Sequence, residues 1–326
     1  MRRLARGLGF SVLGLVTLVA AAAGYVRFAL PRVGAAPAIA ASHDPAVLAR
    51  GEYLAQNVAV CVDCHSSRDF SKFSGPLQQG TLWRGGERFG HAIGLPGELT
   101  APNITPAALS GWSDGDLARA ITEGVTPDGR ALFPFMGYPR YAQLCKPDLT
   151  ALVSYLRSLP PVEGRTAPSE LDFPVNLIAR TLPKAAAISD TCPDRNDSVA
   201  YGRYLTTAAG CADCHTRSEG GTPVAGQDFA GGMRLPLPSG YVALSANITP
   251  DAQSGIGRWS KEAFVGRFAA FRNPVTAVPV PGRAANTPMP WQLFAGMSDE
   301  DLGAIYDYLR TVPAVRTTVA EPVAAR

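Results

Sequence analysis

Cys61-Val62-Asp63-Cys64-His65 recurs 150 positions later as Cys211-Ala212-Asp213-Cys214-His215. The C-x-x-C-H pentapeptide has the spacing of covalent c-type haem attachment. Two thiols separated by two residues can each form a thioether to one vinyl group of the same macrocycle. The histidine that follows then sits under the iron and supplies its proximal nitrogen. C-x-x-C alone is shared by zinc sites, redox dithiols and haem. A following histidine, present twice, selects haem, and the matching histidines at zinc spacing are missing. The motif pair predicts two covalently bound haem c groups, one held by Cys61, Cys64 and His65 and the other by Cys211, Cys214 and His215.

Working outward, the two motifs sit in matched surroundings. Asp44-Pro45 reads as N-cap and first helical position, opening a helix through Arg50-Gly51-Glu52-Tyr53-Leu54. In the second half Asp197 or Ser198 caps Val199 to Leu205, so both copies read Gly-x-Tyr-Leu ahead of the pentapeptide. Glycine inside a helix costs about 1 kcal/mol relative to alanine, which predicts close approach of another helix. That partner is visible at the end of each copy. Lys146-Pro147-Asp148 opens one helix with Leu149, Leu152, Val153, Leu156 and Leu159 on one face. Ser298-Asp299-Glu300-Asp301 opens the other in a capping-box-like pattern, with Leu302, Ile305, Tyr306 and Leu309 as its stripe. Between these ends, Asn103-Ile104-Thr105-Pro106 with Trp112-Ser113 pairs with Asn247-Ile248-Thr249-Pro250 with Trp259-Ser260. Ser113 and Ser260 are expected to cap helices over Asp114–Glu123 and Lys261–Phe271. Trp112 and Trp259 read equally well as haem-edge contacts or as plain core.

Each iron needs a distal ligand from between the middle and final helices of its copy. Phe133-Pro134-Phe135-Met136 and Thr287-Pro288-Met289-Pro290 meet that demand, 71 residues after His65 and 74 after His215 respectively. Proline stiffens such a loop, and Met136 and Met289 are therefore the expected sixth ligands, completing the metal set His65, Met136, His215 and Met289. Met297 is the rival for the second site, but its place before the Ser298 cap suits apolar packing. Met233 lies too early in its repeat. His91, in a glycine-rich loop, reads as exposed or near a haem propionate rather than ligating, and His43 as solvated. His/Met ligation raises the reduction potential. It also fills both axial positions, so no catalytic residue is assigned.

The 326 residues carry a formal charge of +3, but residues 1–32 hold five arginines and no acid, so the remainder has 25 basic against 27 acidic side chains. That near balance gives no electrostatic reason to expect nucleic acid as a partner. With 28 prolines, 33 glycines and 17% charged residues, the expected fold is all-α, with short helices and long ordered loops around a large apolar cofactor. Cys145 and Cys192 remain outside the pentapeptides and are expected as a disulfide in an oxidising compartment, with separate buried thiols or an axial thiolate as the other readings. Met1 to Arg6 is basic, and an uncharged run from Gly7 to Val26 follows. Twenty residues span about 30 Å, enough to cross a bilayer. A cleaved secretory signal is the alternative, with Ala38-Ile39-Ala40 as the cleavage site. A retained helix with a cytoplasmic basic start would place everything after it on the periplasmic side of the inner membrane. The expected division is an anchor or signal over 1–32, a tether over 33–43, one haem-motif repeat over 44–162 and the other over 196–315, a linker over 163–195 and a tail over 316–326.

Taken together, the two C-x-x-C-H motifs, the paired Asn-Ile-Thr-Pro blocks, the Trp-Ser pairs, Met289-Pro290-Trp291 and Ser298 to Arg310 resemble the membrane-anchored multihaem cytochrome c subunits of bacterial periplasmic alcohol, gluconate and aldehyde dehydrogenases. The resemblance covers about residues 45–315. It implies tandem class I cytochrome c folds that pass electrons from a dehydrogenase partner to quinone, another cytochrome or a terminal oxidase. Many members carry three haems, whereas this chain has two motifs, so a stand-alone dihaem carrier is equally compatible. The competing class is a dihaem oxidoreductase enzyme, peroxidase-like or thiosulfate-type, which needs one open or labile iron. Nothing resembling a signalling output domain supports a haem sensor.

Overall fold

The computed structural model describes residues 2–273, 278–282 and 285–317. The expected tail over 316–326 lies, from 318 onward, outside the described residues. A long helix, α1 (Arg2–Ala29), is followed by the first repeat, with α2 (Pro45–Tyr53), α3 (Cys61–Cys64), α4 (Asp114–Glu123), α5 (Tyr138–Tyr141) and α6 (Lys146–Ser158). The linker carries α7 (Val175–Ile178). The second repeat holds α8 (Ser198–Ala208), α9 (Cys211–His215), α10 (Lys261–Ala269), α11 (Trp291–Phe294) and α12 (Asp299–Leu309).

The helix starts follow the capping residues. Asp44 accepts from Ala46 N at 2.7 Å, Asp197 from Ala200 N at 2.9 Å, and Ser260 and Ser298 from the third residue inside their helices at 3.1 Å each. Ser113 forms a full capping box with Asp116. α10 ends two residues earlier than expected, at Ala269. The two glycines explain themselves. A Cβ on Gly51 would lie 2.0 Å from the Ala151 carbonyl oxygen of α6, and one on Gly202 1.9 Å from that of Ala304 in α12. Each copy thus crosses its first and last helices at backbone contact, and only glycine permits it. Leu54, Leu149, Leu152, Leu205, Leu302 and Leu309 are fully buried around these crossings. The core continues from one repeat into the other.

Helices form the framework, but the all-α expectation needs correction, because short strands also occur. Antiparallel β1 (Arg88–Phe89), β2 (Gly97–Thr100) and β3 (Glu170–Leu171) form one sheet. β4 (Ser218–Glu219) pairs with β5 (Thr222–Pro223), and β6 (Arg234–Pro236) with β7 (Val242–Leu244). Where long loops run side by side, their backbone N–H and C=O groups find partners in one another, which helical periodicity does not reveal.

The linker is not a free spacer. β3 joins the first repeat's sheet, Lys146 N donates to Ser189 O at 2.7 Å, Ala186 N donates to Glu123 at 2.9 Å, and Cys145 and Cys192 form a disulfide. The tether is also laid down, with Ala41 N donating to Asp114 and Ser42 N to Ser154, each at 2.8 Å. Phe10–Ala29 of α1 is long and apolar enough to cross a membrane, and none of that window is buried. Arg180 of the linker satisfies two carbonyls at its end, Val26 O at 3.0 Å and Leu30 O.

Candidate haem cavity

Each pentapeptide is a single helical turn entered through a left-handed residue, Val60 at φ 46° and Gly210 at φ 69°. Glycine takes that conformation freely. A β-branched valine holds it only where the surroundings enforce it.

The two histidines are fixed in the same way. His65 Nδ1 lies 2.7 Å from Pro102 O and His215 Nδ1 lies 2.7 Å from Ala246 O. A carbonyl only accepts, so Nδ1 carries the proton in both rings and Nε2 keeps its lone pair free to bind metal. Burial pushes both imidazoles below their ordinary pKa and holds them neutral, as a ligand must be. The Asn-Ile-Thr-Pro blocks explain why those carbonyls stay in place. Asn103 accepts from Thr105 N at 2.9 Å and donates to Val162 O at 2.7 Å; Asn247 accepts from Thr249 N at 2.9 Å and donates to Val315 O at 2.7 Å. Each buried asparagine therefore clips the residue after the histidine's acceptor to the segment that follows the last helix.

A further matched block escaped the sequence reading. Trp83-Arg84-Gly85-Gly86 and Phe229-Ala230-Gly231-Gly232 occupy equivalent places. Gly85 N donates to His65 O at 3.0 Å and Gly231 N to His215 O at 2.7 Å. A Cβ on Gly85 would fall 2.4 Å from the Pro102 carbonyl carbon, and one on Gly231 2.5 Å from that of Ala246. Trp83 and Phe229 both have positive φ, and each meets a tyrosine of its last helix edge-on, Trp83–Tyr155 at 5.7 Å and Phe229–Tyr308 at 6.2 Å. The signal was present as a Gly-Gly pair behind an aromatic residue in each copy.

Cys61, Cys64, His65 and Met136 share the wall of one continuous cavity, about 2680 Å³, with Cys211, Cys214, His215 and Met289. Small-molecule pockets are about 300–1,000 Å³, so this space suits something far larger. Its wall is mostly apolar, and all four thiols are free. Burial pushes Cys61 and Cys214 up to about 11 and Cys64 and Cys211 to about 12. Thiols held neutral in an apolar wall differ from the low-pKa thiols of redox dithiols. The donor set fits covalent haem: two thiols, a neutral imidazole with Nε2 free, and a thioether, each present twice. Arg140, also on the wall, has a buried Nε with no hydrogen-bond partner among the described residues, as a carboxylate-bearing cofactor would require.

Met136 ends a short 3₁₀ turn, Pro134–Met136. Met289 lies outside any helix or strand, its N–H donating to Thr287 Oγ1 at 3.1 Å and its carbonyl accepting from the Ser74 hydroxyl. Met297 touches the cavity but is buried in the core, as its packing reading requires. Met233 also lies on the wall, its sulfur 3.5 Å from the Ser218 hydroxyl. Trp112 and Trp259 both line the cavity. His43 is exposed. His91 is exposed too and bridges Asp172 at 2.8 Å and Glu98 at 3.2 Å. The disulfide removes the reading of Cys145 or Cys192 as an axial thiolate.

The cytochrome c family model matches residues 199–313. The chain is 29% identical to the gluconate 2-dehydrogenase cytochrome c subunit of Pantoea cypripedii, over 83% of this chain and 60% of that protein. It is 31% identical to the fructose dehydrogenase cytochrome subunit of Gluconobacter japonicus, over 85% of this chain and 55% of that one. A dihaem cytochrome c-type protein of Cereibacter sphaeroides is 29% identical over 78% of this chain and 82% of its own length. The chain thus spans little more than half the length of the two dehydrogenase subunits. The resemblance to cytochrome c subunits of dehydrogenases, expected from the motifs, is what the comparisons find.

Proposed function

We propose that the chain is a dihaem cytochrome c that carries electrons from a periplasmic dehydrogenase to quinone, another cytochrome or a terminal oxidase. Residues 44–162 and 196–315 act as tandem class I cytochrome c domains. Cys61 and Cys64 hold one macrocycle with His65 and Met136 as axial ligands, and Cys211 and Cys214 hold the other with His215 and Met289. Haem iron supplies a one-electron Fe(III)/Fe(II) couple. The observation that carries this reading is the doubled arrangement: two imidazoles oriented by carbonyls at 2.7 Å, each beside a free thiol pair, on a single cavity that both candidate methionines also line.

The chain's own part is to hold and to tune. The Nδ1–H···O=C bonds fix each imidazole's tautomer and raise its basicity. The apolar wall excludes water and disfavours added charge, which bears directly on the potential. The proline-flanked loops keep both sulfurs at the wall, leaving no position for substrate. α1 anchors the chain in the inner membrane with the cavity on the periplasmic side. The dehydrogenase partner is inferred from what the similar subunits are named for.

The test is an optical spectrum of the purified ferric protein, with haem counted per chain. Two haems, both with the weak far-red methionine–iron band and inert to peroxide and to carbon monoxide after reduction, are expected. One haem lacking the band and binding either reagent would overturn the carrier reading in favour of an enzyme with an open iron. Met136→His or Met289→His is expected to lower the potential of its own haem and abolish that haem's band.

A further inference from the structure

Each C-x-x-C-H motif carries an aspartate before its second cysteine, and both aspartates meet arginines that reach the other repeat. Arg140 stands four residues after Met136, and its guanidinium pairs with Asp213, next to Cys214 and His215. The same guanidinium lies 4.7 Å from the Tyr141 ring centre and donates to Tyr141 Oη at 2.9 Å; that hydroxyl in turn donates to Ala59 O at 2.8 Å, two residues before Cys61. A Cβ on Gly210, ahead of Cys211, would lie 2.7 Å from Arg140 Nη1, so the guanidinium packs directly on that turn.

Arg68 makes the reciprocal connection. It is almost fully buried and meets Asp63 of the first motif at 3.3 Å. It donates to Ser74 O at 2.6 Å and to Pro288 O at 3.0 Å, the residue before Met289. The segment it organises grips the second methionine loop further. Ser74 N donates to Asn286 at 2.9 Å, Asn286 donates to Phe70 O at 3.1 Å, and Trp291 N donates to Ser74 Oγ at 3.1 Å. So the Met136 loop is tied to the second attachment motif, and the Met289 loop to the first.

We propose that Arg68 and Arg140 are positioning residues that couple the two haem sites, each holding one repeat's methionine loop against the other repeat's attachment motif. This rests on the dihaem reading. A packing role alone would affect the fold, whereas this one makes a single substitution felt at two irons. Removing the Arg140 charge leaves the Asp213 carboxylate unpaired beside His215, and an added negative charge favours ferric iron. At effective dielectric constants near 20 an unpaired charge two residues from the ligating histidine still weighs on the couple. Arg140→Gln is therefore expected to shift the ferrous-to-ferric ratio of the Cys211/Cys214 haem roughly tenfold towards ferric, a fall of about 59 mV for a one-electron couple. It is also expected to loosen Met136 on the other haem.

The experiment is spectroelectrochemistry of the full-length holoprotein, with the bound-methionine methyl signals of the reduced protein read by NMR and assigned through Met136→His and Met289→His. Arg140→Gln is expected to lower the second haem's potential and broaden or shift the Met136 signal. Arg68→Gln is expected to do the same to the first haem and to Met289. Asp213→Asn, at a half-exposed position where folding is not at stake, is expected to move the second potential the opposite way, and Arg140→Gln with Asp213→Asn to return it towards its starting value. Arg140→Lys keeps the charge and is expected to keep the potential. Two bound-methionine signals in the parent protein with potentials that move less than about twofold in that ratio, or effects confined to one haem, would overturn the coupling alone. Fewer than two such signals in the parent protein would overturn the dihaem reading and the coupling with it.

Discussion

Pro102 and Ala246 hold the two histidines by their carbonyls, and Asn103 and Asn247 hold those carbonyls by clipping the next residue to the chain's return segment. Asn247 is buried, and its side chain satisfies Thr249 N, Thr249 Oγ1 and Val315 O at 2.7–2.9 Å. Asn247→Ala would strand Thr249 N away from water and leave Thr249 Oγ1 and Val315 O to their mutual bond at 3.3 Å, at about 1–3 kcal/mol for each group left unsatisfied. We expect a loss near 3 kcal/mol by denaturant titration, with a disturbed His215 orientation visible as a shifted second potential and an unchanged first one. Asn103→Ala is expected to mirror it. A loss under about 0.5 kcal/mol, the range of ordinary surface changes, would show that the clip is dispensable. The sequence made the histidines and thiols legible because haem attachment fixes their spacing chemically. It made the asparagines visible only as a repeat, without a role, because a bond from residue 103 to residue 162 or from 247 to 315 leaves no local periodicity.

At the scale of elements, the crossing of α2 with α6 and of α8 with α12 was readable from one glycine each. Alanine is the better helix former by about 1 kcal/mol, yet Gly51→Ala and Gly202→Ala are expected to destabilise. Their Cβ atoms would meet carbonyl oxygens at 2.0 and 1.9 Å, and backbone cannot rotate aside as a side chain can. A net loss of about 2 kcal/mol or more is expected in thermal unfolding, within the range for overpacking; a gain would mean that the helices can separate without penalty. The β1–β2–β3 sheet was not legible, because strands of two to four residues are too short for alternation to register. Beside the β2–β3 pairing, His91 ties the linker to the first repeat by its side chain, and its pKa is raised by Asp172 and then Glu98. A raised folded-state pKa means that this tie is fully present below the ordinary value of 6.5 and fades as pH rises through the raised one. His91→Gln is expected to speed proteolysis of the 163–195 linker at about pH 5.5 and to make no difference at about pH 9. Equal effects at both would show that charge plays no part.

For the molecule as a whole, the repeats exchange hydrogen bonds in a crossed pattern. Tyr53 of the first donates to Asp301 of the second, and Tyr204 of the second donates to Asp148 of the first, each at 2.7 Å and each to a buried carboxylate. Arg50 completes Asp148 with a forked pair at 2.9 and 2.8 Å, and Arg195 reaches Asp301 at 3.3 Å. Each tyrosine stands in a Gly-x-Tyr-Leu quartet and each aspartate near the start of a final helix, so the interface is built from the same residues that repeat in sequence. Their meeting across the repeats could not be read, since a repeat predicts likeness and not contact. The core passes between the two halves without a break, and the disulfide closes the linker onto the first. Elements that share a core unfold together. We therefore expect one calorimetric transition for the haem-loaded protein. Tyr204→Phe removes a hydrogen bond to a charged group, worth about 1.5–3 kcal/mol, and should lower that single transition without splitting it. Two resolved transitions in the parent protein would mean that the repeats are stable separately and that the crossed tyrosines only align them. The coupling inferred for Arg68 and Arg140 would then have to be carried by the arginines and the Ser74–Asn286–Trp291 bonds, without the support of a shared core.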